Sequence, residues 1–163
     1  SGVTDKQIEQ AKKILFLGNE GFWDGLKQMY QSLGTWESQK PILLKELKKS
    51  KYSVCYRSVL VEENEKELLL EAVTENPYNL FYYGQFLVMD YPNEIYELCA
   101  NYIREQCAQA TERRLYKKVC KDIQQLIKWK GNATAKLLVD EFKETYPRRS
   151  ALLDELQKVE KKL

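Results

Sequence analysis

Residues 146–156 read YPRRSALLDEL, in which a proline and two arginines separate two apolar patterns. Pro147 ends the amphipathic helix that precedes it, because a residue before a proline disfavours helical backbone angles. The next helix is predicted to start near Ser150. Its inward-facing residues are predicted to be Leu152, Leu156, Val159 and Leu163. The stretch therefore forms the corner between two consecutive helices.

Three further amphipathic patterns precede this corner. The first covers residues 94–109, where apolar residues recur at helical spacing, and Pro92 suits its first turn. The second follows Thr111, which can cap it, and Gly131 is predicted to stop it. Asn132 can cap the third. Four amphipathic helices with short connections bury their apolar faces most simply as antiparallel neighbours, which predicts stacked helical hairpins.

The first half of the chain is also predicted to be helical. Thr4 and Gln7 have the spacing of a capping box that opens the first helix, and Gly34 is predicted to cap the second. Pro41 is placed in the first turn of the third helix, where a proline costs no hydrogen bond. A highly aromatic helix is predicted over residues 78–90, and we expect it to be the most buried element.

Residues 52–61 are ambiguous, because their apolar residues alternate in a way that also suits a β-strand. A single strand would find no hydrogen-bonding partner in an otherwise helical chain, so we predict a helix. An internal sequence similarity indicates repeats, since residues 60–68 and 87–95 share one pattern at an offset of 27 residues. The spacing elsewhere is irregular. The predicted fold is therefore a single all-α domain, residues 1–163, built from degenerate repeats.

Composition limits the classes of protein to consider. The chain of 163 residues is 44% apolar and 31% charged, which is typical of a folded soluble domain. A net charge of +2 argues mildly against a dedicated nucleic-acid binder. No apolar run approaches the roughly 20 residues that a membrane-spanning helix needs. Ser1 and Gly2 resemble a cloning remnant, so we expect a fragment of a longer protein.

The residue types needed for common chemistry are missing or scattered. The chain has no histidine, and its four cysteines lack the paired spacing of a zinc site, so neither a metal nor another cofactor is expected. Small, reduced core cysteines indicate a cytoplasmic protein. The glycines form no phosphate-binding loop, and the clustered carboxylates of residues 62–67 are typical of a solvated helix face. We therefore predict a protein that is not an enzyme and takes no small-molecule substrate.

Basic residues near the helix corners are candidates for a binding patch that would contact phosphate or an acidic partner. The alternative is that each arginine pairs with a carboxylate of a neighbouring helix and fixes the corner. The six candidate binding residues are Arg113, Arg114, Lys117, Lys118, Arg148 and Arg149.

Tyrosine is the other conspicuous residue type. Five of the eleven tyrosines cluster around the middle of the chain, at positions 78, 82, 83, 91 and 96. Aromatic residues are favoured at interfaces and at base-stacking platforms. They also fill gaps between helices with the hydroxyl group at the surface. Both interpretations are open from the sequence alone.

The last half of the chain resembles a known family. The segments EIY and NYI in residues 94–103, RLYKKV in 114–119, LL and EF in 137–142, and the YPRR and LLDEL segments of residues 146–156 are similar to the C-terminal helical region of bacterial SWIM zinc-finger proteins. That region is itself similar to tetratricopeptide repeats. The resemblance covers roughly residues 80–156. The zinc motif of the family needs cysteine and histidine ligands, and a chain without histidine cannot contain it.

The resemblance implies a degenerate tetratricopeptide-like α-solenoid that serves as a non-catalytic interaction module. The expected partner is another macromolecule, first of all a protein, bound by the surface of the stacked helices. The alternative is direct binding of nucleic acid through the six basic residues. A basic surface facing one side would favour that alternative, whereas close arginine–glutamate pairing would argue against it.

Overall fold

A computed structural model describes residues 2–50 and 53–163. Within those ranges the chain forms helices and no strand, so the prediction of an all-helical protein is confirmed there. Tyr52 and Ser1, which entered two of the sequence predictions, lie outside the described residues. The helices are α1 (Asp5–Phe16), α2 (Phe22–Ser32), α3 (Trp36–Lys49), α4 (Ser53–Glu62), α5 (Lys66–Glu75), α6 (Leu80–Gly84), α7 (Pro92–Gln109), α8 (Arg113–Lys128), α9 (Asn132–Thr145) and α10 (Ser150–Glu160).

The chain divides into two compact units, an N-terminal unit (Ser1–Leu69) and a C-terminal unit (Leu70–Leu163). In the N-terminal unit, the predicted capping box is confirmed: Gln7 N donates to Thr4 Oγ1, and Thr4 N donates to Gln7 Oε1. The helix predicted for the ambiguous segment is confirmed from Ser53 onward. None of the helices in the described part of the chain is both long and apolar enough to cross a membrane.

Aromatic packing sets the start of α3 and corrects one prediction. The Trp36 ring meets the Trp23 ring edge-on at 5.6 Å and stacks on Tyr30 at 6.4 Å, which fixes Trp36 in the core as the first residue of α3. Pro41 therefore lies inside the helix, not in its first turn as predicted. The missing N–H of Pro41 leaves the Glu37 carbonyl without its helical donor. Burial of large aromatic surface outweighs that local cost.

In the C-terminal unit, α7, α8, α9 and α10 share one core. The Tyr96 hydroxyl, near the start of α7, donates to the carbonyl oxygen of Trp129, which follows α8, so these two helices run antiparallel. The connection between α8 and α9 needs space at Gly131. A Cβ atom there would lie 3.0 Å from Cε1 of Tyr96.

Helices α8 and α10 run in the same direction. Arg113, the first residue of α8, pairs with Glu155 in the middle of α10, and Lys162 beyond α10 donates to Gln124 further along α8. Helices α7 and α9 also pack against each other. Neighbouring and next-but-one helices of this group are thus in contact. The prediction that the last helix turns its apolar residues inward is confirmed for Leu152, Leu156 and Val159, which are all fully buried.

Several predicted details are wrong. The aromatic helix over residues 78–90 is reduced to α6, because Asn79 adopts a left-handed conformation with φ 54° and the chain after Gly84 continues as tight turns. The segment is not the most buried, since Met89 is 88% exposed. Leu163 is exposed because α10 ends before it. Glu112, not Thr111, precedes α8, and Gly131, not Asn132, precedes α9.

Candidate functional site

The C-terminal unit contains a cleft that brings aromatic side chains together with one lysine and one aspartate. Its volume is about 480 Å³, and it is lined by residues 76–82, Tyr102, Lys118 and Asp122. We call it the aromatic cleft. Residues 76–82 follow α5 and enter α6, Tyr102 lies on α7, and the two charged residues lie on α8. One side of the cleft is therefore a turn, and the other is a pair of packed helices.

Local hydrogen bonding shapes the turn. The backbone N–H of Tyr78 donates a 3.1 Å hydrogen bond to Oδ1 of Asn76. Asn79 follows with its left-handed backbone, which asparagine tolerates better than most residues. Leu80 then enters the core at the start of α6. This geometry leaves Tyr78 and Tyr82 at the surface, 59% and 57% exposed.

Ring contacts hold two of the aromatic residues that line the cleft. The Phe81 ring meets Tyr102 edge-on at 5.8 Å and stacks on Trp129 at 6.1 Å. Trp129 in turn packs against Gly84, where an added Cβ would lie 3.0 Å from Cη2 of the indole. Aromatic rings held on several sides keep one orientation. Phe81 and Tyr102, two of the residues that line the cleft, are therefore held in place by packing within the fold.

Asp122 is the chemically unusual group of the cleft. It is half-buried, yet no donor among the described residues hydrogen-bonds or ion-pairs with its side chain. Burial raises the pKa of the Asp122 carboxyl to about 6, although Lys118 and Lys121 both act to lower it. A carboxylate held in this way destabilises the fold at neutral pH. Such groups are concentrated at functional sites.

The six predicted basic residues do not share one environment. Lys118 lines the aromatic cleft one helical turn before Asp122. Arg113 instead pairs with α10, its Nη1 lying 3.0 Å from Glu155 Oε1 and its Nη2 lying 3.2 Å from Asp154 Oδ2. Burial would raise the pKa of Glu155, but hydrogen bonds from Lys158 and Arg113 and the charges of Lys158 and Lys117 lower it overall.

The remaining three candidates lie at or near the corners. Arg149 Nη1 donates a 2.8 Å hydrogen bond to the carbonyl oxygen of Cys107, at the end of α7. Arg114 pairs with the neighbouring Glu112 at the exposed surface. Arg148 is exposed, and no described residue forms an ion pair with it. Arg113 thus pairs closely with carboxylates, as one of the two sequence interpretations expected, whereas Arg148 pairs with none among the described residues.

The cysteines are buried and chemically protected. Burial raises the pKa of the Cys55 and Cys107 thiols to about 11 and that of Cys99 and Cys120 to about 12. All four are free cysteines. In the described part of the chain no group of three or more histidine, cysteine or acidic residues has the arrangement of a metal site.

A second concave surface belongs to the N-terminal unit. It has a volume of about 550 Å³ and lies between α1 and α2, where Ala11, Ile14, Phe22 and Met29 form its apolar lining. Lys6 is the charged side chain at its edge. This groove is lined by no buried charged group, so its shape and apolar character are its main properties.

Sequence patterns found part of the aromatic cleft. The tyrosine cluster pointed to this region, and Tyr78 and Tyr82 do line the cleft, whereas Tyr83 is buried in the core. Lys118 was among the basic candidates. Asp122 was missed, although its place beside the apolar face of α8 was a usable signal. Comparisons of the chain with protein-family models, with curated proteins and with solved structures give no match.

Proposed function

We propose that this chain is a non-catalytic helical-repeat interaction module, and that the aromatic cleft binds a segment of another protein. The observation that carries the proposal is the combination of two exposed tyrosines with a half-buried, unpaired aspartate in one cleft. Tyrosine gives a large contact area with little loss of side-chain entropy, which is why interfaces favour it. The aspartate supplies specificity.

The cleft suits a peptide better than a compact metabolite. One side of it is turn surface, and its polar side chains are spread over that turn and over α7 and α8 instead of converging on one point. An extended chain can place one side chain in the cleft while its backbone continues over the surface. Helical-repeat proteins commonly bind extended segments in this way.

We also propose that the helices are arranged as stacked hairpins. Antiparallel α7 and α8, parallel α8 and α10, and the packing of α7 on α9 support stacked hairpins of the tetratricopeptide type. We propose that the chain corresponds to the C-terminal helical region of a SWIM zinc-finger-like protein. The support for that relationship is the set of sequence segments in residues 80–156, together with the all-helical fold.

Nucleic-acid binding through the basic residues is the weaker alternative. Arg113 and Arg149 are engaged within the fold, which reduces their availability for phosphate. Arg114 and Arg148 are the more exposed arginines of the set. A titration with single- and double-stranded DNA and RNA at two salt concentrations tests this alternative. Salt-sensitive binding that the Arg114→Glu and Arg148→Glu double variant loses would favour it.

A display selection tests the proposed function directly. A phage library of random nonapeptides is selected against the whole chain, and the enriched peptides are synthesised with a fluorophore for anisotropy. We expect Tyr82→Ala to weaken binding about tenfold or more, in the range of an interface hot spot. Met89→Ala is the matched control, because Met89 is exposed and lies outside the cleft. Equal binding by both variants would contradict the proposal.

A further inference from the structure

The Asp122 carboxylate in the aromatic cleft lacks a hydrogen-bond donor within the described part of the chain. A carboxylate can accept several hydrogen bonds, but among the described residues none donates to this one. Removing a charge from water without giving it partners is costly, and the cost is recovered when a donor of opposite charge arrives. The ligand that complements Asp122 is therefore a group that carries both positive charge and N–H donors.

The aromatic surroundings narrow the choice of cation. Tyr78 and Tyr82 are exposed at the cleft, and the Phe81 ring forms part of its lining. A guanidinium group is planar, is weakly hydrated, stacks on aromatic faces and presents a fork of donors that matches a carboxylate. A lysine ammonium is a compact and strongly hydrated charge, so it gains less from the same surroundings.

We infer that the aromatic cleft recognises an arginine side chain of the partner protein, with its guanidinium group donating to Asp122 and lying against the tyrosine rings. This inference rests on the proposed function, because it names the chemistry of the segment that the same cleft binds. The inference adds the contact that determines specificity, between the arginine of the partner and Asp122. The partner segment is thus defined by one arginine and not by general hydrophobicity.

Lys118 limits the charge of that segment. It lines the same cleft as Asp122, one helical turn earlier on α8, and it is exposed. A segment rich in basic residues would place a second cation next to this ammonium group, which is unfavourable. An acidic residue beside the arginine would instead face Lys118. The cleft therefore favours an arginine next to an acidic residue over a polybasic run.

The test uses nonapeptides enriched by phage display against the whole chain. Each enriched sequence is synthesised with arginine and with citrulline, which keeps the shape of arginine but has no charge. We expect the citrulline peptide to bind about tenfold more weakly or worse to the unmodified chain. With Asp122→Asn the two peptides should bind within about twofold of each other, because the charge that distinguishes them has lost its partner.

Asp140→Asn is the matched control. Asp140 is an exposed aspartate on α9 that pairs with Lys136 and lies outside the cleft. We expect this variant to keep the full difference between the arginine and citrulline peptides. A Lys118→Glu variant should bind the arginine peptide at least as tightly as the unmodified chain does, provided that the peptide has no acidic residue beside the arginine.

The outcomes separate the inference from the proposed function. Enriched peptides that lack arginine, or that bind equally well with citrulline in its place, overturn the inference. If Tyr82→Ala still weakens the binding of those peptides, the proposed function stands. A selection that enriches no peptide overturns both. Single-stranded DNA that displaces an enriched peptide from the cleft at moderate salt overturns both in favour of nucleic-acid binding. An arginine preference that depends on Asp122 supports both.

Discussion

The guanidinium group of Arg149 lies 3.9 Å from the centre of the Tyr146 ring. Its Nη1 also donates to the Cys107 carbonyl, so one side chain ties the corner between α9 and α10 to the end of α7. Arg148, the adjacent residue, is exposed. Two neighbouring arginines of the YPRR segment therefore have different roles, one in the fold and one at the surface.

This difference is measurable as stability. We expect Arg149→Ala to lower the free energy of unfolding by about 1–3 kcal/mol, because a charge-assisted hydrogen bond and a cation–π contact are lost. Arg148→Ala should change it by less than about 0.5 kcal/mol. Urea denaturation followed by circular dichroism measures both. Similar losses for the two variants would show that Arg149 does not anchor the corner.

Glu63 connects three side chains of the N-terminal unit through its carboxylate. Its Oε1 accepts a 2.8 Å hydrogen bond from Nε1 of the fully buried Trp23, and it pairs with Lys27 and Lys40. We expect Glu63→Ala to cost about 2–4 kcal/mol, since the indole N–H would be left buried without an acceptor. Glu62→Ala, at an exposed neighbour, is the control in the same urea experiment and should cost less than about 0.5 kcal/mol.

The contribution of Glu63 depends on pH. Burial would raise its pKa, but the hydrogen bonds from Trp23 and Lys27 and the nearby lysine charges lower the pKa overall. The ionised group therefore stabilises the fold above the ordinary carboxyl pKa, and this stabilisation is lost as the pH falls through the lowered value. The stability gap between the unmodified chain and Glu63→Gln should accordingly narrow below about pH 4. A gap that is constant between pH 7 and pH 3 would show that the negative charge of Glu63 does not stabilise the fold.

Asp122 has the opposite pH dependence. Because burial raises its pKa to about 6, its contribution to stability is full below the unfolded-state pKa and is lost as the pH rises through about 6. An asparagine side chain resembles the protonated form. Allowing for solvent screening, we expect Asp122→Asn to be about 1–2 kcal/mol more stable at pH 7 and about equally stable at pH 4. Urea denaturation at the two pH values measures this. A variant that is less stable at pH 7 would mean that Asp122 is a structural group.

The cysteines report on opening of the core. Their buried thiols have pKa values raised to about 11 or 12, so very little reactive thiolate forms at pH 8. We expect a thiol reagent such as Ellman's reagent to label all four slowly in the native protein and rapidly in urea. One rapidly labelled cysteine in native buffer would show that its unit opens locally.

Helices were predictable because apolar periodicity records burial directly. Ile95, Cys99, Ile103 and Cys107 recur at helical spacing, and all four are fully buried. Pro41 shows the limit of this signal. A proline suggests a helix start from local rules, but the packing of Trp36 on aromatic residues decides where α3 begins.

The cleft was less predictable than the helices, for two physical reasons. A left-handed Asn79 shapes the turn, and the sequence allows that conformation without requiring it. Periodicity also identifies which face of α8 is buried but does not show that Asp122, beside that face, lines a cleft. Tyrosine content narrowed the search to the right region, since two of the clustered tyrosines line the cleft. The unpaired state of Asp122 depends on tertiary structure.

We expect a partner segment to bind in the aromatic cleft. The most direct measurement is nuclear magnetic resonance mapping, in which an enriched nonapeptide is titrated into the ¹⁵N-labelled chain. We expect the largest amide shift changes in residues 76–82 and around Tyr102, Lys118 and Asp122. Largest changes in the groove between α1 and α2, or around Arg113 and Arg149, would show that the segment binds elsewhere on the chain.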